Sequence, residues 1–267
     1  MIKIAELLYR AINRARRALY RAGILQAKRL PVPVISVGGI AAGGSGKTPA
    51  VIAIARALSQ RGLRVAILTR GYRRSGSGGV VTALDAHQFG DEPVLIKKSV
   101  PDVEVIVGKN RYDNAIRNKA DVFVLDDGFQ HLQLHRDLDV VIDHPGFLRE
   151  GRSALRDADI VLRRRLEPRV PEYLRGKRVF AFAGLADNQQ FFDSLGLTLA
   201  ATKSFPDHHR YTKAEIEAIK REANAEAIVT TEKDAVKISD SDIIAIPADF
   251  VIEPAVLERI IAVAVRR

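Results

Sequence analysis

VPVISVGGIAAGGSGKTPAVIAIARALSQ, residues 32–60, decides the fold. Val34-Ile-Ser-Val37 reads as a short buried strand. Gly43-Gly44-Ser45-Gly46 reads as a flexible turn, and Lys47-Thr48 opens a helix that runs to about Gln60. Strand, glycine-rich loop, Lys-Thr and helix form a phosphate cradle. The glycines let backbone N–H groups point inward, and the helix N-terminus adds partial positive charge. In such a loop Lys47 reaches the β- and γ-phosphates and Thr48 ligates Mg²⁺. Pro49 sits in the first helical turn, where a missing N–H costs nothing. The strict pattern wants Gly where this chain has the small residue Ala41, five before Gly46.

Composition bounds the rest. The chain has 267 residues, 47% of them apolar, enough for one large or two modest domains. No apolar run reaches the ~18 residues that would suggest a membrane span. The N-terminus lacks the pattern of a secretory signal. Without cysteine there is neither a disulfide framework nor a thiolate metal site, and the expected compartment is the cytosol. A net charge of +10 favours anionic partners: a nucleotide, nucleic acid or an acidic membrane surface.

Residues 1–29 carry eight basic residues and one acid, Glu6. On a helical wheel Lys3, Arg10, Arg14, Arg17 and Arg21 share one arc; Ile4, Leu8, Ile12, Ala15 and Leu19 share another. Such a helix lies apolar face down in a membrane interface with its cations among anionic headgroups, or packs on its domain with solvated arginines. Arg64–Thr69 reads as a second strand ending in Arg70-Gly71-Tyr72-Arg73-Arg74, where an α/β sheet presents ligands and arginine suits phosphate. Asp91 either caps the helix that follows or is a catalytic carboxylate. Asp121–Asp126 followed by Asp127 is four apolar residues ending in paired acids, the pattern that carries a carboxylate to a P-loop's Mg²⁺. Further strands are expected at 138–142 and 159–162, a basic linker at 163–178, and a second α/β pattern from there on. In Phe205-Pro-Asp207-His208-His209-Arg-Tyr211, one histidine beside a carboxylate suits proton handling; the alternative is Asp207 or Thr212 capping the next helix.

Taken together, the amphipathic start, Pro31–Gly38, Gly43–Pro49, Thr69–Tyr72, Gly90–Pro93, Asp126–His131, Leu148–Glu150, Phe205–His209 and Thr230–Lys237 resemble the tetraacyldisaccharide 4'-kinase family of lipid A biosynthesis. The resemblance implies ATP on Ala41, Ala42, Gly43, Gly44, Ser45, Gly46, Lys47 and Thr48. It implies Mg²⁺ near Thr48, Asp126, Asp127 and Glu150. Asp91 and His208 would form an acid–base pair, with Lys47 catalytic. Arg70, Tyr72, His131 and Arg149 would lie near the substrate, a lipid A disaccharide precursor. The family's membrane contact implies a peripheral protein on the cytoplasmic face of the bacterial inner membrane, meeting an anionic surface and needing no nucleic acid and no obligate protein partner. Two departures stand out: Gly39 replaces the usual Asn, and the stretch from Ile142 to Leu148 is short.

The expected fold is α/β: a P-loop NTPase-type α/β/α sandwich over residues 1–165, with the amphipathic helix at its start, and a smaller α/β domain over 166–267. Two other classes compete. A P-loop ATPase switch of the partitioning or metal-insertion class shares Gly-Gly-x-Gly-Lys-Thr, but its signature Lys before the two glycines is Ala42 here. A nucleic-acid binder fits the charge but lacks interleaved aromatics and leaves the phosphate loop unused.

Overall fold

The computed structural model describes residues 2–72, 74–145 and 147–266, and the side chains of all of these except 2–6 and 42. Arg73 and the side chains of Lys3, Ile4, Glu6 and Ala42, named above, lie outside the described residues. In chain order the elements are α1 (Ile2–Arg21), β1 (Val34–Gly39), β2 (Ala41–Ala42), α2 (Lys47–Gln60), β3 (Val65–Thr69), β4 (Gly79–Val80), α3 (Ala86–Phe89) and α4 (Asp91–Ser99). Then come β5 (Glu104–Val107), α5 (Arg111–Ile116), β6 (Val122–Asp126), β7 (Leu138–Asp143), β8 (Phe147–Leu148), β9 (Ile160–Arg163) and β10 (Leu166–Pro168). The remainder is β11 (Arg178–Ala183), α6 (Asn188–Ser194), β12 (Thr198–Ser204), α7 (Lys213–Glu222), β13 (Ala227–Thr231), α8 (Glu232–Ala235), β14 (Ile243–Ile246), β15 (Ala248–Phe250) and α9 (Pro254–Val265).

These elements form two compact units, residues 1–165 with 250–267, and residues 166–249. The first is a seven-stranded sheet in the order β4-β5-β3-β6-β1-β7-β9. Every pairing in it is parallel except β4 with β5. Parallel strands covered on both faces read as unbroken apolar runs, and β1, β3 and β6 are buried at every position. One face packs Val34, Ala66, Leu68, Phe123 and Leu125 with Ala115 of α5. Helix α2 covers the other face and packs against α4 and α9. This is the α/β/α sandwich of the P-loop fold.

The reading that put 166–267 in the second domain is corrected at its end. After Asp249 the chain returns to the first unit. Phe250, Ile260, Ile261 and Ala264 are buried there, because α9 carries an apolar stripe that α2 and β1 cover. The basic stretch 163–178 is also more than a linker: β10 within it pairs with β15. The second unit is a four-stranded sheet ordered β12-β11-β13-β14, parallel throughout. Its two apolar clusters centre on Val179, Ala181 and Phe192, and on Phe180, Phe182 and Ile219.

Helix α1 docks with the opposite face from the one its wheel suggests. Asn13 and Arg17 are buried, while Leu7, Leu8, Ile12 and Leu19 are exposed. Asn13 Nδ2 donates to the Arg149 carbonyl at 3.0 Å. The Arg17 guanidinium lies 4.0 Å from the Phe129 ring centre, and its Nη2 donates to the Phe129 carbonyl at 2.9 Å and to Glu150 Oε1 at 2.8 Å, with Nε bonded to Oε2. Arg21 pairs with Asp157. Of the basic arc expected to meet solvent or lipid, Arg17 and Arg21 therefore attach the helix, while Arg14 is exposed.

Candidate active site

The phosphate loop leaves the C-terminal end of β1. Gly43, Gly44 and Gly46 hold φ of 73°, 55° and 79°, a region that favours glycine. Gly46 caps α2, and a Cβ there would lie 3.3 Å from the Phe250 ring and 3.4 Å from Arg164 Cγ. The returning chain thus walls the loop. Lys47 Nζ donates to Ser45 Oγ at 3.0 Å, and Ser45 and Thr48 are buried. Ala41 and Ala42 form β2, which pairs antiparallel with β8 and so carries residues 149–150 back to the loop. The backbone N–H groups of Arg149 and Glu150 both donate to the Ile40 carbonyl, at 2.7 and 3.2 Å. The short stretch before Leu148 therefore still delivers Arg149.

The end of β6, next to β1 and β3, supplies the paired acids. Asp126 is buried and accepts from Thr69 Oγ1 at 2.8 Å. Burial, with the charges of Glu92 and Asp127 nearby, pushes its carboxyl up to about 7. Asp127 adopts φ 50°, accepts from Arg149 at 2.6 and 2.8 Å, and lies 3.7 Å from Lys47 Nζ. Burial alone would raise its carboxyl; the Arg149 hydrogen bonds and the charges of Lys47 and Arg111 instead hold it well below the usual carboxylate range. One fold thus sets two adjacent carboxylates apart by environment.

The four residues placed near Mg²⁺ do not present themselves alike. Glu150 is 3% exposed and both its oxygens are engaged, by Arg17 and by Gln130 Nε2 at 2.8 Å. It holds α1, rather than facing outward as a ligand. Among the described residues no three acidic or imidazole groups converge as a ready cage. Mg²⁺ in phosphoryl-transfer sites takes one or two carboxylates and fills its sphere with water and phosphate oxygens. The donor chemistry of Asp126 and Thr48 fits that pattern, with Asp127 committed to cations.

Asp91 opens α4 behind Gly90, which is the cap, so the reading of Asp91 as N-cap is replaced by a first-turn position. Gly90 sits close to the next loop: a Cβ on it would lie 3.0 Å from the Tyr72 carbonyl. Arg70 and Tyr72 are exposed at the end of β3. His131 approaches Arg111 at 3.5 Å. Desolvation, then the charges of Arg111, Arg136 and Arg16, lowers His131 to about 4, so its ring is neutral at pH 7. Arg111 is buried beside this cluster and went unread in the sequence. Its one signal is its position just beyond the C-terminal end of a parallel strand, β5. Thr69 and Gln130 lie inside stretches quoted above and Arg17 in the basic arc, but nothing local in the sequence marks them as partners of Asp126 and Glu150.

His208 lies in the second unit, in the loop after β12. Its backbone takes φ 60°, an uncommon value for a side-chain-bearing residue that costs on the order of 1 kcal/mol or more. Lys233 Nζ lies 3.2 Å from His208 Nε2 and 2.9 Å from Asp207 Oδ1. His209 has the plainer role: it stacks on Phe205 at 4.7 Å and pairs with Glu215 at 3.1 Å. Thr212 caps α7 in a capping box with Glu215.

Comparison with known proteins agrees with this geometry. The profile of the family described as Tetraacyldisaccharide-1-P 4'-kinase matches residues 1–266. Tetraacyldisaccharide 4'-kinase of Pelobacter propionicus is 40% identical over 87% of this chain and 81% of its own length. The protein of that name from Syntrophus aciditrophicus is 37% identical over 94% and 87%. The crystal structure of LpxK from Aquifex aeolicus in complex with ATP superposes with a TM-score of 0.82 at 32% identity, covering 99% of this chain and 98% of that one. Matched along nearly its whole length in both sequence and fold, the chain belongs to the tetraacyldisaccharide-1-P 4'-kinase family.

Proposed function

We propose that this chain transfers the γ-phosphoryl group of ATP to the 4'-hydroxyl of a tetraacyl disaccharide 1-phosphate in lipid A biosynthesis. The observation that carries the reading is the chain of charge from Lys47 through Asp127 to Arg149 beside the glycine loop. Ala41–Thr48 cradle the ATP phosphates, and Lys47 meets charge that develops on the transferring group. Thr48 and Asp126 would hold Mg²⁺, with Asp127 orienting Lys47 and Arg149. A bound Mg²⁺ neutralises phosphate charge during transfer. Asp91 accepts the proton of the sugar hydroxyl, and His208 serves the same acid–base chemistry. Arg70, Tyr72, His131 and Arg149 contact the substrate. Purified protein, given γ-labelled ATP and the lipid, is expected to label the disaccharide. ATP hydrolysis indifferent to the lipid, with no labelled lipid, would favour the ATPase switch.

The protein works as a peripheral protein on an anionic surface, the cytoplasmic face of the inner membrane, and the outward face of α1 supports the attachment. Its Leu7, Leu8, Ile12 and Leu19 are exposed, and no helix among the described residues is long and apolar enough to cross a bilayer. Each leucine fully buried in lipid would contribute roughly 1.5–3 kcal/mol. Vesicles containing anionic lipid are expected to bind the intact chain and to lose a variant with Leu8 and Ile12 changed to Ser. Equal binding by both would remove α1 from membrane attachment.

A further inference from the structure

The segment Thr230–Lys237 enters the resemblance, yet the proposed reaction uses none of it. Its two lysines are held differently. Lys237 pairs with the fully buried Asp234 at 2.7 Å, and Asp234 also accepts from Thr231 Oγ1 and the Gly184 N–H. That is a structural bracket between strand ends. Lys233, in the first turn of α8, instead reaches across to the loop that carries His208.

We propose that Lys233, anchored by Asp207, is a positioning residue that fixes the His208 ring as its Nδ1–H tautomer. An ammonium has three donors and no acceptor. At 3.2 Å from Lys233 Nζ, His208 Nε2 can only accept, so the neutral ring carries its proton on Nδ1. Asp207 shares the same ammonium at 2.9 Å and lies farther from Nε2, at 3.8 Å. It balances the lysine's charge without taking the ring's donor. The three side chains are mostly enclosed, with 19%, 32% and 15% exposed for Lys233, Asp207 and His208. The ring therefore carries a donor, not an acceptor, at Nδ1. This rests on the reading of His208 as part of the reaction.

The test separates the two claims. Long-range ¹H–¹⁵N correlation on the full chain with labelled histidine, at neutral pH, reads the tautomer; signals lost in His208→Gln identify the ring. The wild type is expected to show Nδ1–H. Lys233→Met should move the ring to Nε2–H, the form free imidazole side chains prefer, and Lys233→Arg, which also offers only donors, should keep Nδ1–H. In the labelled-phosphate assay Lys233→Met should lower kcat by about tenfold, less than the ~10²–10⁴-fold that a positioned acid–base group itself contributes, with KM for ATP unchanged. The same change in a His208→Ala background should cost under about twofold. An Nε2–H ring in the wild type, or a ring unmoved by Lys233→Met, overturns the inference. A His208→Ala variant of full activity with an Nδ1–H ring in its parent overturns the catalytic reading of His208 and leaves the tautomer assignment standing.

Discussion

Arg17→Met should expose how the first helix is attached. The substitution keeps an apolar stem against Phe129 but removes the guanidinium that engages both oxygens of Glu150 and the Phe129 carbonyl. Glu150 is 3% exposed and would keep only the Gln130 amide, at 2.8 Å. Losing one partner of a buried pair costs about 3–5 kcal/mol, because the remaining charge is stranded. The orphaned carbonyl and the lost ring contact fall within that figure, since they share the same guanidinium. Urea unfolding of the single variant is expected to show this loss, or, where α1 opens by itself, hydrogen exchange should show lost amide protection in 7–21 while β1 and β6 keep theirs. Adding Glu150→Gln removes the stranded charge and should restore at least about 2 kcal/mol. A loss under about 1 kcal/mol with α1 protection unchanged, or a double variant as unstable as the single one, would refute polar docking of the helix.

Three further outcomes follow from the site. Lys47→Ala should reduce phosphoryl transfer by about 10²–10³-fold, and undiminished turnover in labelled-ATP assays would remove the loop from the mechanism. For Asp126 the sign is set by a native value near 7 against 3.8 unfolded: the native state binds the proton more tightly, so this group's penalty is absent below about pH 4 and grows as pH rises through 7. Asp126→Asn should therefore raise the melting temperature of the nucleotide-free protein at pH 8 more than at pH 5, and an equal gain at both would count against it. Gly38→Ala would place a Cβ 2.6 Å from Phe129 Cβ and 2.8 Å from its backbone nitrogen. Calorimetry should report a loss of about 1–3 kcal/mol, and a neutral variant would show that β1 and the 128–130 turn can part.

Much of the first unit was legible because its strands are short apolar runs that end in chemistry. Val34–Gly39 and Val122–Asp126 each stop where glycine or acid begins, and such runs are required of a parallel sheet covered on both faces. The loop and the paired acids were legible for the same reason: function there is local in sequence. What stayed hidden is non-local. A helical wheel separates the faces of α1 but does not say which one docks; that depended on Glu150, 133 residues away from Arg17. The pairing of β10 with β15 and the return of α9 are likewise contacts between distant segments. Two adjacent aspartates look equivalent in the sequence. Arg149, brought back by the β2–β8 pairing, acts with the charges of Lys47 and Arg111 to make Asp127 a strong acid, while burial makes its neighbour a weak one.

The return of residues 250–267 to the first unit also orders events during synthesis. Domains generally fold as units as the chain emerges. The second unit is one continuous segment, 166–249, and is synthesised before residues 250–267. The first unit is not: the cover that α9 gives to α2, and the wall that Phe250 gives to Gly46, arrive only with residues 250–267. The domain made first is thus the last to be finished. A product broken off anywhere before Phe250 carries every residue of the glycine loop and yet exposes the apolar surface that quality-control proteases and chaperones recognise.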